Sequence, residues 1–157
     1  MCAGGNKVRI LEFAINIYLK NNVDTFLASA DKRSNKLREI ASISAKYNIE
    51  CHFLLYNNNS RKDYVLGNEM LLRLFNIKTT FIDRKITRND ELKELIKLKS
   101  DLKGKGKRPA ILHKDRVYGT YATIAYYQAA KEIIFQSKKE NINFKYIFVP
   151  VGAGMTI

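Results

Sequence analysis

Cysteine, histidine and acidic side chains are all scarce in this 157-residue sequence, and each shortage closes a class of function. The two cysteines, Cys2 and Cys51, lie far apart without metal-type spacing, which excludes a disulfide framework and a zinc site and fits a reducing compartment. His52 sits inside one apolar run and His113 follows another; neither has a second ligand at metal spacing, so both read as packed or strand-end histidines and no metal is expected. No apolar run is long enough to span a bilayer, and the N-terminus lacks the basic-then-apolar layout of a signal peptide. The sequence reads as a cytoplasmic protein without a membrane partner.

The acidic shortage sets the charge. Lys and Arg total 28 against 15 Asp and Glu, a net charge of +13 that favours anionic partners. The surplus is spread along the chain, and the one basic Gly/Lys run, residues 103–108, carries no aromatic side chain for base stacking. It reads as a solvated loop rather than a nucleic-acid contact, and nucleic acid is not the expected partner. Apolar residues at 46% and charged residues at 27% are ordinary globular composition.

Apolar spacing predicts helices and strands in alternation. Val8, Leu11, Ala14, Ile15 and Tyr18 predict a helix ending near Asn21 and Asn22, followed by a strand at 25–28. Ser34 and Asn35 open a second helix with Leu37, Ile40, Ala41 and Ala45 on one face, and 51–56 reads as a buried strand before a solvated loop at 57–63. Gly67 and Asn68 cap a helix whose face is Met70, Leu71, Leu74 and Phe75; a strand follows at 79–82 and a charged helix at about 89–102 with Leu92, Leu95 and Ile96. The strand at 109–112, a helix at 121–135 and a buried strand at 146–151 complete the pattern, the last running into a Gly-rich segment, 152–156. Such alternation predicts an α/β domain with a largely parallel sheet, whose ligands bind at the carboxyl ends of the strands.

Three local features lie in chemically suggestive places. Lys7 follows Gly4, Gly5 and Asn6 at the start of the first helix, where unpaired N–H groups and a partial positive charge disfavour a further cation and favour a reactive amine. It also reads simply as an exposed lysine in a first turn. Ser34 and Asn35 stand at a strand-to-helix junction and, taken alone, read first as a plain helix cap. Gly152, Ala153, Gly154 and Thr156 offer backbone N–H groups to a phosphate or form only a strand-ending turn.

Their order along the chain is more specific than any one of them. Residues 5–13 (GNKVRILEF), 34–38 (SNKLR), Gly67-Asn68 with 71–74 (LLRL), 129–133 (AAKEI) and 146–156 together resemble the fold type II pyridoxal-phosphate enzymes. The likeness is greatest to the branch of 1-aminocyclopropane-1-carboxylate deaminase and D-cysteine desulfhydrase. This resemblance implies an α/β fold of parallel-sheet βα units, tryptophan synthase β-like and incomplete at both ends, with about 36–120 as the smaller inserted lobe and 1–35 and 121–157 as parts of the larger. It implies a pyridoxal 5'-phosphate-dependent deaminase or lyase acting on a small amino acid such as 1-aminocyclopropane-1-carboxylate or D-cysteine. Lys7 would hold the cofactor as an aldimine and move the substrate α-proton, and Ser34 would act beside the substrate carboxylate. Asn35 would bond the phenolic oxygen of the cofactor, and Gly152, Ala153, Gly154 and Thr156 its phosphate.

Departures from the family pattern are local. Ala30 and Asp31 stand where a glycine pair is usual, with Lys32 and Arg33 next to offer cations to a carboxylate; residues 116–119 (RVYG) replace a small Gly/Ser-rich turn; and Met155 interrupts the phosphate loop. Relatives of this kind also extend on both sides of the matched region. The expectation is therefore the lysine-bearing part of a larger enzyme, a homo-oligomer or a chain that associates with one supplying the missing half. The alternative is a catalytically incomplete remnant or partner-requiring α/β subunit.

Overall fold

The computed structural model describes residues 5–57, 67–112 and 116–149. Helices and strands alternate as α1 (Val8–Lys20), β1 (Thr25–Asp31), α2 (Asn35–Lys46), β2 (Glu50–Asn57), α3 (Asn68–Leu74), β3 (Lys78–Asp83), α4 (Arg88–Gly104), β4 (Pro109–Ile111) and α5 (Arg116–Lys139). The four strands form one parallel sheet in the order β3-β2-β1-β4. β1 is central, with Leu27 opposite His52 on one side and Ile111 on the other.

The chain first steps from β1 outward through β2 to β3, then returns across the sheet to β4 on the far side of β1. Parallel crossovers keep one hand, so reversing the direction of travel moves the connecting helix to the opposite face. Alternation along the strands follows from this. Phe26, Ala28, Cys51, Phe53 and Leu55 pack with α1, α2, α5 and Leu72 of α3 in the main core, while Leu27, Leu54 and Ile111 meet Leu95 of α4 in a smaller one. Tyr18 meets Phe26 edge-on, with ring centroids 5.1 Å apart.

Helix endings are specified by a repeated device. α1, α2, α3 and α5 are each followed by an asparagine in the left-handed region, Asn22, Asn48, Asn76 and Asn141, and α4 by Gly106. The next residue's N–H then returns to a carbonyl in the last turn, as in Val23 to Tyr18, Ile49 to Ser44 and Ile77 to Leu72. These are Schellman closures, and the Asn tolerates positive φ better than other residues with a Cβ.

Several sequence expectations shift. The third helix buries Leu72, leaving Met70 and Leu74 exposed, because it covers the margin of the sheet and touches the core along a narrow line. α4 continues through Gly104, so the start of the expected basic loop is helical, and Glu91 rather than Ile96 shares its buried face with Leu95. Glu91 is accommodated there by the Tyr56 hydroxyl, which donates to Oε1 at 2.7 Å. α5 runs Arg116–Lys139, so the helix expected at 121–135 starts five residues earlier and takes in 116–119. No strand forms over 146–149 among the described residues; Phe148 is 92% exposed because no strand lies beside it to pair with. Residues 150–157 lie outside the described residues, as do His113 and 58–66.

His52, half-buried on β2, has its Nε2 2.9 Å from Thr80 Oγ1, as a packed strand histidine would. Burial pushes the Cys51 thiol up to about 12, so its thiolate is scarce at neutral pH. Iodoacetamide at pH 8 is expected to leave Cys51 unmodified in the folded chain and to alkylate it on unfolding, as read by peptide mass. Phe26→Ala is expected to cost about 3–5 kcal/mol by urea unfolding. Leu74→Ala should change stability by less than about 0.5 kcal/mol, which checks the corrected face of α3.

Candidate active site

A helix joined by a short loop to a parallel strand runs back along it, so α1, α2, α3 and α5 all bring their amino ends to the carboxyl edge of the sheet. The strand order reverses between β1 and β4, and ligands of open parallel sheets bind outside the carboxyl ends at such a switch point. Lys7 at the start of α1 and Ser34 and Asn35 at the start of α2 therefore lie on the same edge, on either side of the β1 terminus.

Lys7 occupies the N-cap position of α1, and its carbonyl accepts from the N–H groups of Ile10 at 3.1 Å and Leu11 at 3.2 Å. Its side chain makes no capping bond, and the first turn has no acidic residue. The anion at this helix end comes from α2 instead. Glu39 is 1% exposed, and its carboxylate accepts from the backbone N–H groups of Lys7 and Val8. Burial pushes the Glu39 carboxyl above its ordinary range; the Lys7 and Arg38 charges and those two N–H donors oppose this. The sequence reading did not single out Glu39, because one glutamate in an amphipathic helix carries no mark of burial. It lies four residues after Asn35 and so one helical turn along the same face of α2. That places the Lys7 backbone about one turn from Asn35.

Ser34 is the N-cap residue of α2 with extended backbone, yet its side chain makes no capping bond. It holds the cap position expected of it, without the side-chain bond that a full cap would make. Asn35 is held by Asn68 at the start of α3. Asn68 Nδ2 donates to the Asn35 Oδ1 at 2.9 Å and to the Arg33 carbonyl at 2.7 Å, while its Oδ1 accepts from Arg38 Nη1 at 3.3 Å. A guanidinium only donates and a carbonyl only accepts, so this network fixes which way the Asn68 amide points. Asn35 is then held by its oxygen, and its own amide N–H groups suit a ligand oxyanion. Gly67 leads into α3 at φ +62°, a backbone region that favours glycine. Gly67 and Asn68 stand at the helix start that their residue types suggest, whereas the tie from Asn68 to Asn35 joins residues 33 positions apart and has no local signature.

Nearby cations are already paired. Lys32 Nζ lies 3.1 Å from Glu69 Oε2, and Arg33 Nε lies 3.2 Å from Asp31 Oδ1. These pairs weigh against the expectation that Lys32 or Arg33 stands ready for a carboxylate. α5 closes the site from its other side: Tyr126 donates its hydroxyl to the Asn6 carbonyl at 3.3 Å, Arg9 pairs with Glu132, and burial pushes the Tyr118 hydroxyl up, the nearby Glu39 charge adding to this. Gly152, Ala153, Gly154 and Thr156 lie outside the described residues. Among the described residues no cluster of His, Cys, Asp or Glu suits a metal, and no helix is long and apolar enough to cross a membrane. Asn68→Ala, which removes three hydrogen bonds, is expected to lower stability by about 1–2 kcal/mol in urea unfolding.

No family model matches the chain. It is 32% identical to D-cysteine desulfhydrases of Serratia proteamaculans and Yersinia enterocolitica, over 99% of this chain and 47% of theirs. The chain thus spans about half the length of the curated relatives it matches. Among solved structures it resembles an ACC deaminase homologue, with a TM-score of 0.78 and 23% identity over 98% of this chain and 44% of that one. A hydrogen sulfide-producing enzyme from Fusobacterium nucleatum gives a TM-score of 0.66 and 19% identity over the same shares. At these identities the structural likeness speaks for the fold alone.

Proposed function

From the premise that this chain is a relative of the fold type II pyridoxal-phosphate enzymes, on the D-cysteine desulfhydrase and 1-aminocyclopropane-1-carboxylate deaminase side, we propose that it takes part in pyridoxal 5'-phosphate-dependent elimination or deamination of a small amino acid. The observation that carries the reading is the convergence of the starts of α1 and α2 on the carboxyl edge of the sheet beside its switch point. Lys7, Ser34 and Asn35 all stand at these helix starts, which supports reading their amine, hydroxyl and amide as parts of one site. The residues suit the group chemically: an aldehyde needs an amine, and a phenolate oxygen needs a donor such as the Asn35 amide, which Asn68 holds by its acceptor end.

In this reading the Lys7 amine makes the covalent link to the cofactor and later carries the α-proton. Asn35 donates to the ring oxygen, and Ser34 lies beside the substrate carboxylate. When bound, pyridoxal phosphate supplies an electron sink for the charge left at the α-carbon. Gly152, Ala153, Gly154 and Thr156 are proposed as the phosphate contacts. Residues 36–120 are proposed as the smaller lobe, with 1–35 and 121–157 in the larger.

A second reading, a subunit needing a partner or the rest of a larger enzyme, is favoured by one observation. Ile133, Ile134 and Phe135 on α5, with Phe144, Ile147 and Phe148 after it, are all exposed. A run of apolar surface this large marks an association face. The partner proposed is a second copy or a chain that completes the fold; a compact monomer on size exclusion would contradict it.

The first reading is tested by incubating the chain with pyridoxal phosphate, reducing with borohydride and mapping the added mass. The cofactor is expected on the peptide containing Lys7 and absent in Lys7→Ala; equal labelling of that variant would defeat the assignment. Sulfide release from D-cysteine and ammonia release from 1-aminocyclopropane-1-carboxylate then separate the two substrate classes.

A further inference from the structure

α1 begins with neither a capping side chain at its N-cap position, which Lys7 holds, nor an acidic first turn. The first N–H groups of a helix have no partner within it, and leaving them unmatched in a packed site is costly. α2 supplies what α1 lacks. The Glu39 carboxylate accepts from the N–H groups of Lys7 and Val8, and its Oε1 fills the space beside Gly5, where a Cβ would stand 1.8 Å away. Gly5 itself is at φ +135°, so both its missing side chain and its backbone angle serve the approach.

Glu39 is an expensive choice for this position. A buried carboxylate loses its hydration and persists only when its surroundings return the interaction. Three elements face it: Lys7 and the first N–H groups of α1, Arg38 of α2 with Nη2 3.9 Å from Oε1, and Tyr118 of α5. Its Oε2 has no hydrogen-bond partner among the described residues. What it touches is the backbone at the start of α1, at Gly5, Lys7 and Val8.

We propose that Glu39 is the positioning residue of Lys7: a carboxylate carried by α2 that caps α1 across the interface and fixes the direction in which the Lys7 side chain leaves the chain. The cap couples the two site-forming helices, since the same face of α2 carries Asn35 one turn earlier. The inference rests on the reading of Lys7 as the cofactor-bearing amine for its chemical meaning, and on the geometry alone for the cap.

The test uses Glu39→Ala, Glu39→Gln and, from the opposite side of the same contact, Gly5→Ala. Amide hydrogen exchange without cofactor is read first. The Lys7 and Val8 amides should exchange about tenfold or more faster in Glu39→Ala and Gly5→Ala, with β1 unchanged, and stay near wild type in Glu39→Gln, whose side-chain oxygen still accepts. Equal protection in Glu39→Ala and wild type overturns the cap, whatever the cofactor does. Gly5→Ala decides the point if Glu39→Ala does not fold.

Attachment of pyridoxal phosphate at Lys7, trapped with borohydride over time, is read second at several cofactor concentrations. Positioning predicts a first-order attachment rate about 10- to 100-fold lower in Glu39→Ala, restored in Glu39→Gln, with half-saturation unchanged. An unchanged rate in a variant that has lost protection overturns the positioning role and leaves only a structural cap. A wild-type chain that never attaches cofactor at Lys7 defeats the proposed function and the positioning role together, while the exchange result still judges the cap.

Discussion

Two-sided pairing of β1 is the constraint on which the rest of this structure depends. β1 is hydrogen-bonded to β2 along its full length and to β4 over its first half, and Phe26, Leu27 and Ala28 are buried whichever face they point to. A strand enclosed in this way has one register available, because a one-residue slip would exchange the residues facing the large core with those facing α4. Once β1 is fixed, its end at Asp31 fixes where α2 begins. The short return from α1 into β1 fixes where α1 begins as well. The site is thus held by backbone pairing several residues away from any of its side chains.

Helix ends give the carboxyl edge its character. Parallel topology gathers the amino ends of several helices there, a concentration of unpaired N–H groups that favours anions. The protein meets this partly with its own groups: Glu39 against α1, Asn68 bridging the segments around α2, Glu69 against Lys32. These ties run between elements, so the starts of α1, α2 and α3 are held relative to one another. That rigidity is what a covalent cofactor site of the proposed kind requires.

Much of the fold was legible in the sequence because it rests on periodicity and local chemistry. The strands centred on Phe26 and Phe53 showed as short apolar runs, and the first helix ended where Asn21 and Asn22 announced it. Lys7, Ser34 and Asn35 stood out because each sits at a junction between elements. Legibility failed where burial depended on a neighbour distant in sequence. Leu72 and Leu74 are both leucines on α3, and only the position of that helix over the sheet decides which is covered. Glu39 and Glu91 looked like ordinary helix glutamates, yet one is buried under α1 and the other under the Tyr56 hydroxyl.

The sequence by itself determined the alternation of helix and strand, the parallel α/β class, the stop of the first helix and the order of the lysine, Ser-Asn and glycine segments. All of these follow from spacing and residue type within a dozen neighbours. Tertiary structure alone decided the strand order, the face each helix covers and the identity of the groups that hold Lys7 and Asn35. Those depend on contacts such as Glu39 to Lys7 and Asn68 to Asn35, which join residues 32 and 33 positions apart. A hydrogen bond across such a span exists only after the sheet has brought its ends together, and no local pattern encodes it.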